Sequence, residues 1–456
     1  MNEQGSIPPN IKRALEADIG YVIAVAGQPG TGKSLFVHEV LRQYPKSFLY
    51  ATTTESIGPS KETDSDESIS DRRMLVKYWR NTDVDSAHEE SLNNQIQGLT
   101  GHTPKDKDIV IIDSWREFLQ PISVEKNSDV RHSLLDAARR ESRRLILVLE
   151  GDKSSADAHI LHSADAIVEL RKLRLDQRMY RQLTLEKMRS FPIMQDTYLF
   201  TLYGGRFTFI PWYKHQFPPI TIEREPIADP ANKTISTGNR SLDSVLGGGF
   251  RRGRLSLIEV ENISAPYVET ICIPFLSNHL QLGRPAVIVL PEGWSPDRFV
   301  AGLSQFVDMN VVEDQVVFFG RHALGSKGNV RTIDTDPEKT LQEIRYEASQ
   351  LERRFEKSVT ELFALDTLEN RFGDSAVKGM VAETSAGLSG TERSTITILS
   401  SQQSLQSSGL SYDLHLRIQD IFGVITICGV NPRTGLLAVK PVLSGGFLDY
   451  ELLPIV

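Results

Sequence analysis

The chain has 456 residues, 40% of them hydrophobic and 24% charged, a balance that excludes wholesale disorder or a fibre and asks for two or three cores. A net charge of -8 gives no overall basic footprint for a phosphate backbone, so nucleic acid is not the expected partner. The cysteines, Cys272 and Cys428, each sit in an apolar run, which excludes a disulfide framework and reads as buried thiols of a reducing compartment.

Met1 to Asn10 is polar and lacks the basic start and apolar core of a signal peptide, and no apolar run approaches the ~18 residues of a membrane span. A cytoplasmic protein without membrane contact is expected. Tyr21 to Ala26 then reads as a buried strand. Leu35, Phe36, Val40, Leu41 and Tyr44 recur at helical spacing until Pro45, and Phe48 to Thr53 reads as a second strand. Such a β-loop-α-β unit favours a parallel sheet with helices on both faces. Glu55 to Asp71 has no apolar period and reads as a flexible acidic loop. Strand-like runs resume at Ile109 to Ile112, Leu145 to Leu149, Ala166 to Leu170, Leu183 to Leu185 and Tyr198 to Leu202.

The first domain is therefore expected over 1–215, followed by a proline-rich linker over 216–232. Residues 233–456 repeat the grammar, with strands at Leu255 to Val260, Ala286 to Leu290, Leu362 to Leu365, Thr395 to Leu399, Gly423 to Ile427 and Leu436 to Val439, and a charged helix from Pro337 to Lys357. Tandem duplication is the economical explanation.

Gly27-Gln28-Pro29-Gly30-Thr31-Gly32-Lys33-Ser34 fits G-x-x-x-x-G-K-[ST], the phosphate-binding or Walker A loop, between an apolar strand and an amphipathic helix. Glycines there bring backbone N–H groups onto phosphate oxygens of ATP at the positive end of a helix. Lys33 is expected to bridge the β- and γ-phosphates and Ser34 to bind Mg²⁺. Asp113, just past Ile109 to Ile112, supplies the metal's carboxylate. The histidines show no metal-ligand spacing, and Arg139, Arg140, Arg143 and Arg144 read as a solvated helix face.

This order of pieces resembles the RecA superfamily, and especially the tandem KaiC-like ATPases. Ser236 to Gly253 looks like the opening motif of KaiC-type domains, and Leu183 to Arg189 with Phe200 to Leu202 and Gly205 looks like the family's closing hairpin. The resemblance implies two tandem RecA-like domains with mostly parallel central sheets flanked by helices. It further implies that Lys187 and Arg189 reach the neighbouring subunit's γ-phosphate and that Glu55 matches the second of two catalytic glutamates, Thr54 replacing the first. A solvated basic edge would place Lys187 and Arg189 on one strand face equally well. Ser6 to Asn10 is similar to the start of archaeal GvpD-type regulators.

In the second domain the former loop falls at Val260 to Tyr267, where Pro266 stands in the lysine's place, Glu261 is acidic and no glycine remains. Asp366 resembles the metal aspartate and Lys440 the closing lysine, with Val442 in place of the arginine. The expected protein is a slowly hydrolysing regulatory ATPase joined to a pseudo-ATPase domain, in a homo-oligomer such as a hexameric ring, its regulated partner unread. A DNA-dependent RecA- or RadA-like motor and a non-catalytic ATP-stabilised scaffold are the alternatives.

Overall fold

The computed structural model describes residues 6–44, 47–51, 109–119, 124–151, 158–213, 225–261, 271–321, 328–400, 403, 412–444 and 447–456. They form two compact units, one of Met1–Pro211 with Ile455–Val456, the other of Trp212–Pro454.

In the first unit the apolar runs become strands β1 (Tyr21–Ala26), β2 (Phe48–Ala51), β3 (Ile109–Asp113) and β4 (Arg144–Val148), followed by the longer β5 (Ala166–Leu175), β6 (Arg178–Met188), β7 (Thr197–Thr201) and β8 (Thr208–Ile210). They make one sheet in the order β2-β3-β4-β1-β5-β6-β7-β8. The first five are parallel, and β6 to β8 extend the edge as an antiparallel meander. Side chains alternate across it, as the two-residue period of a strand requires. Ile23, Val25, Ile111, Ile146 and Val148 pack with Phe36, Val37 and Val40 of the helix after β1, whereas Val22, Ala24, Leu145 and Leu147 face Trp115, Leu134 and Leu135. A short helix, α1 (Pro9–Glu16), buries Ile11, Ala14 and Leu15 in the first of these layers.

The second unit is built from β9 (Thr234–Ile235), β10 (Phe250–Arg251), β11 (Leu255–Glu261), β12 (Ala286–Val289), β13 (Val316–Gly320), β14 (Val330–Thr332), β15 (Thr360–Ala364), β16 (Ser394–Ser400), β17 (Leu414–Ile421), β18 (Val424–Asn431), β19 (Leu437–Ser444) and β20 (Phe447–Pro454). Apart from the small β9–β10 pair, its sheet runs β14-β13-β12-β15-β16-β11-β17-β18-β19-β20. Removing β13 and β14 leaves β12-β15-β16-β11-β17, the same parallel order as β2-β3-β4-β1-β5 in the first unit, with the same antiparallel extension beyond it. Both units are thus mixed α/β sheets of RecA-like order with helices on both faces. The expected helix at Pro337 is Pro337–Phe355, started by Asp336, whose side chain accepts from Glu338 N and Lys339 N.

Of the expected linker, residues 225–232 are described; they form no helix or strand and are fastened to the second unit. Asn278 Oδ1 accepts from Ile227 N at 2.6 Å, and Asp229 takes a two-pronged contact from Arg284 plus one from Arg252. The arginine cluster is not one helix face. The helix Val124–Arg140 ends first, and Arg144 is a buried residue opening β4. Arg139, Arg140 and Arg143 each stand within 4 Å of a carboxylate, on Asp165, Asp136 and Glu141. Among the described residues no helix is long and apolar enough to cross a membrane.

Candidate functional site

The loop from Gly27 to Gly32 leaves the carboxyl end of β1 and enters α2 (Lys33–Gln43), whose first residue is the lysine of the motif. Gly27, Gly30 and Gly32 all have positive φ. At Gly27 a Cβ would stand 2.5 Å from the Leu170 carbonyl oxygen, and at Gly32 it would press on Leu202 at 3.0 Å. The sequence therefore needs glycine at these two positions both for backbone shape and for room. Around Gly30 a Cβ would meet nothing within 4 Å, so the crest of the loop is open.

Lys33 folds back over this loop, its Nζ donating to the carbonyls of Gly27 at 2.7 Å and Gln28 at 3.2 Å. Partial burial holds its ammonium below the usual lysine range, with the charges of Asp113 and Glu150 acting the other way. Asp113 ends β3 two residues after Ile111, on the face that packs against α2, and its peptide bond to Ser114 is cis. Burial raises its carboxyl above the usual range; the hydrogen bond from Ser34 and the charge of Lys33 oppose that. His38, one turn beyond Ser34, is close enough for its charge to act on Asp113, and burial depresses its own imidazole. Ser34 and Asp113 bring two hard oxygen donors together, a set that fits Mg²⁺ completing its shell with phosphate and water oxygens.

Glu150, just past β4, was not singled out by sequence reasoning. Its charge acts on both Lys33 and Asp113, and neighbouring Gly151 forms a bridge with Gly27. A glutamate after an apolar run carries no motif, and only the sheet order brings β4 between β1 and β3. Arg181 was missed for the same reason. It reaches from β6 to the Gly30 carbonyl oxygen at 2.9 Å.

Lys187 and Arg189 lie elsewhere. β6 runs back along β5, so Met188 pairs with Ala166, and Tyr21 at the start of β1 donates its hydroxyl to the Arg189 carbonyl at 2.7 Å. That end of β1 is the one away from the loop, about 16 Å off along the strand. Lys187 Nζ donates to His162 O at 2.8 Å, and half-exposed Arg189 stands 3.6 Å from Asp165. Glu55 and Thr54 lie outside the described residues, as do 262–270 with Pro266.

In the second unit Glu261, at the end of β11, pairs with Arg417 at 3.2 Å, and Glu259 holds both Arg417 and His415. The hydrogen bond from His415 is the main reason Glu259 lies below the usual carboxylate range. Asp366 stands in the first turn of the helix Leu365–Phe372 and accepts from Glu292 N at 3.1 Å and Thr367 N at 2.8 Å.

No family model matches the chain. Two proteins of Halobacterium salinarum are similar to it. Protein GvpD2 is 27% identical over 351 residues, which are 72% of this chain and 70% of GvpD2. Protein GvpD1 is 25% identical over 363 residues, 74% of this chain but 66% of GvpD1, a little under two thirds of its length. The similarity to GvpD-type proteins read from the opening residues thus extends over most of the chain.

Proposed function

We propose that the first unit binds MgATP and hydrolyses it slowly, and that nucleotide state sets the assembly of a KaiC-like cytoplasmic regulator. The observation that carries this reading is the convergence of Lys33, Ser34 and Asp113 on an open glycine loop at the carboxyl end of a parallel sheet, where α/β proteins bind their ligands. Loop N–H groups and Lys33 would hold the phosphates. Mg²⁺, held by Ser34 and Asp113, would neutralise their charge. Lys187 and Arg189 face the wrong end of β1 to serve their own loop, so any contact they make with phosphate is with another copy's, which makes a homo-oligomer part of the proposal. The likeness to GvpD proteins is the reason for reading the output as regulation.

The test is to size the purified chain with and without MgATP while measuring phosphate release. The reading expects slow release and a nucleotide-dependent change in assembly. A chain that neither binds nor turns over ATP ends it.

A further inference from the structure

We propose that Glu150 is the base that orients and deprotonates the water attacking the γ-phosphate, an inference that rests on the ATP hydrolysis proposed above. Strand alternation and register place it. In β4, Ile146 and Val148 face α2 while Leu145, Leu147 and Leu149 face the other layer, so Glu150 follows Val148 onto the α2 face. Asp113 follows Ile111 onto the same face of β3. Val148 pairs with Val25, so the register carried two residues past the end of β4 brings Glu150 level with Gly27, the first residue of the loop, and a bridge between Gly27 and neighbouring Gly151 keeps the two segments side by side there. Leu147 pairs with Ile112, so Asp113 is level with Val148, and Glu150 stands two residues, roughly 7 Å, farther out along the strand direction. A carboxylate there stands on the strand between those that carry the phosphate loop and the metal aspartate, level with the first residue of the loop and farther out than Asp113, and its charge acts on both Lys33 and Asp113.

Among the described residues, two other acids of this unit are spent or face away. Glu169 flanks β1 opposite Ala26, but it alternates with the buried Val168 and Leu170 and therefore points to the other face, where Arg171 holds it at 2.7 Å. Glu39, on α2 itself, is buried against Ser6 and Arg42. The second unit provides an internal control. β16 is the counterpart of β4, and level with Val260, where that unit's loop would begin, it carries Ser400. Glutamate stands at this place where the glycine loop is intact, and serine where it is lost.

In the step itself the water oxygen bonds to the γ-phosphorus, and the bond from that phosphorus to the β–γ bridging oxygen breaks. The electron pair leaves with that oxygen on ADP, and the water's proton passes to the Glu150 carboxylate and on to solvent, releasing ADP and inorganic phosphate. A positioned base of this kind contributes about 10²–10⁴-fold.

The test uses the full chain as wild type, Glu150→Gln, Glu150→Asp, Glu55→Gln and Lys33→Ala. Affinity for a slowly hydrolysed ATP analogue, phosphate release, the identity of the nucleotide retained after gel filtration, and circular dichroism are measured. Glu150→Gln should bind the analogue at least as tightly as wild type, release phosphate about 100-fold more slowly, and retain ATP rather than ADP. Glu150→Asp keeps the charge but withdraws it by one methylene, and should bind normally while turning over about tenfold more slowly. Turnover within threefold of wild type in a folded Gln variant overturns the assignment, as does wild-type turnover in the Asp variant if the Gln variant fails to fold. Loss of turnover in Glu55→Gln with none in Glu150→Gln transfers the role to Glu55. Unchanged binding in Lys33→Ala instead removes the ATP site itself, and wild-type binding without turnover ends hydrolysis and the role of Glu150 together.

Discussion

Among the described residues, Lys33 donates to its own loop and lies among the charges around Asp113, and no core cluster contains it. Lys33→Ala should therefore leave the circular dichroism spectrum and melting temperature nearly unchanged while weakening ATP binding at least about 100-fold, since a desolvated charge-assisted contact to phosphate is among the strongest single contacts a side chain makes. A folded variant with normal affinity would contradict the site. Glu361 is the opposite kind of residue, a carboxylate 4% exposed at the start of β15, touched by the Thr395 hydroxyl at 2.7 Å with Arg393 at 3.8 Å. Burial, the largest influence, raises its carboxyl above the usual range. The folded state thus binds the proton more tightly than the unfolded chain, and this contribution is fully present below the unfolded value and lost as pH rises through the folded one. Glu361→Gln keeps the shape and the Thr395 contact, so it should melt higher than wild type at pH 8 and match it near pH 4. A lower melting temperature at pH 8 would mean that Arg393 outweighs burial. Lys33, Ser34 and Asp113 were legible in sequence because a spacing rule defines them, whereas Glu150 and Glu361 are single glutamates beside apolar runs that only the register of neighbouring strands distinguishes.

Strand cores were legible where both faces are buried, because an uninterrupted apolar run has one reading: Tyr21 to Ala26 matches β1 residue for residue. The β5–β6 hairpin was not. It was expected at Ala166 to Leu170 and Leu183 to Leu185, yet it continues through Arg171, Lys172, Arg174, Arg178 and Arg181, because cross-strand hydrogen bonds from Leu175 paired with Arg178 down to Ala166 paired with Met188 sustain it where the hydrophobic period stops. Lys172 stands opposite Arg181, a like-charge pair that β-pairing rules disfavour and that hides the ribbon from a pattern search. β17 and β20 were missed in the same way, since charged residues interrupt their apolar content, whereas β13 is an uninterrupted apolar run from Val316 to Phe319 that was simply not singled out. The far end of this hairpin carries Lys187 and Arg189, and its placement makes a sharp expectation. Arg189→Ala should bind ATP normally but hydrolyse it at least about tenfold more slowly, since a finger acts on transition-state charge. Mixed with Lys33→Ala, it should regain part of the activity, through interfaces that join an intact loop to an intact finger. Co-assembled mixtures with no recovery would count against action between subunits.

Duplication was read at the scale of the whole chain from a repeated strand grammar, and the two units share one order of five parallel strands. What the repeat does not preserve leads to the last expectation, that each chain binds one nucleotide, in its first unit. A phosphate loop works by converging several N–H donors and a lysine on a polyanion. In the second unit β11 ends in Glu261, a negative charge at the start of the old loop, and its partner Arg417 is already shared with Glu259. Asp366, the counterpart of Asp113, spends its two oxygens on the N–H groups of Glu292 and Thr367, so it ties the turn after β12 to the helix Leu365–Phe372 that follows β15. Asp113, in contrast, is met by Ser34 and Lys33, the groups a nucleotide would recruit. Pro266, in the lysine's place, would remove one donor more, although it lies outside the described residues. Calorimetric titration of the full chain with a slowly hydrolysed ATP analogue should give one site per chain, and the same titration of full-length Lys33→Ala should give none. Two sites in the wild type, or one remaining in the variant, would show that the second crevice still accepts a nucleotide.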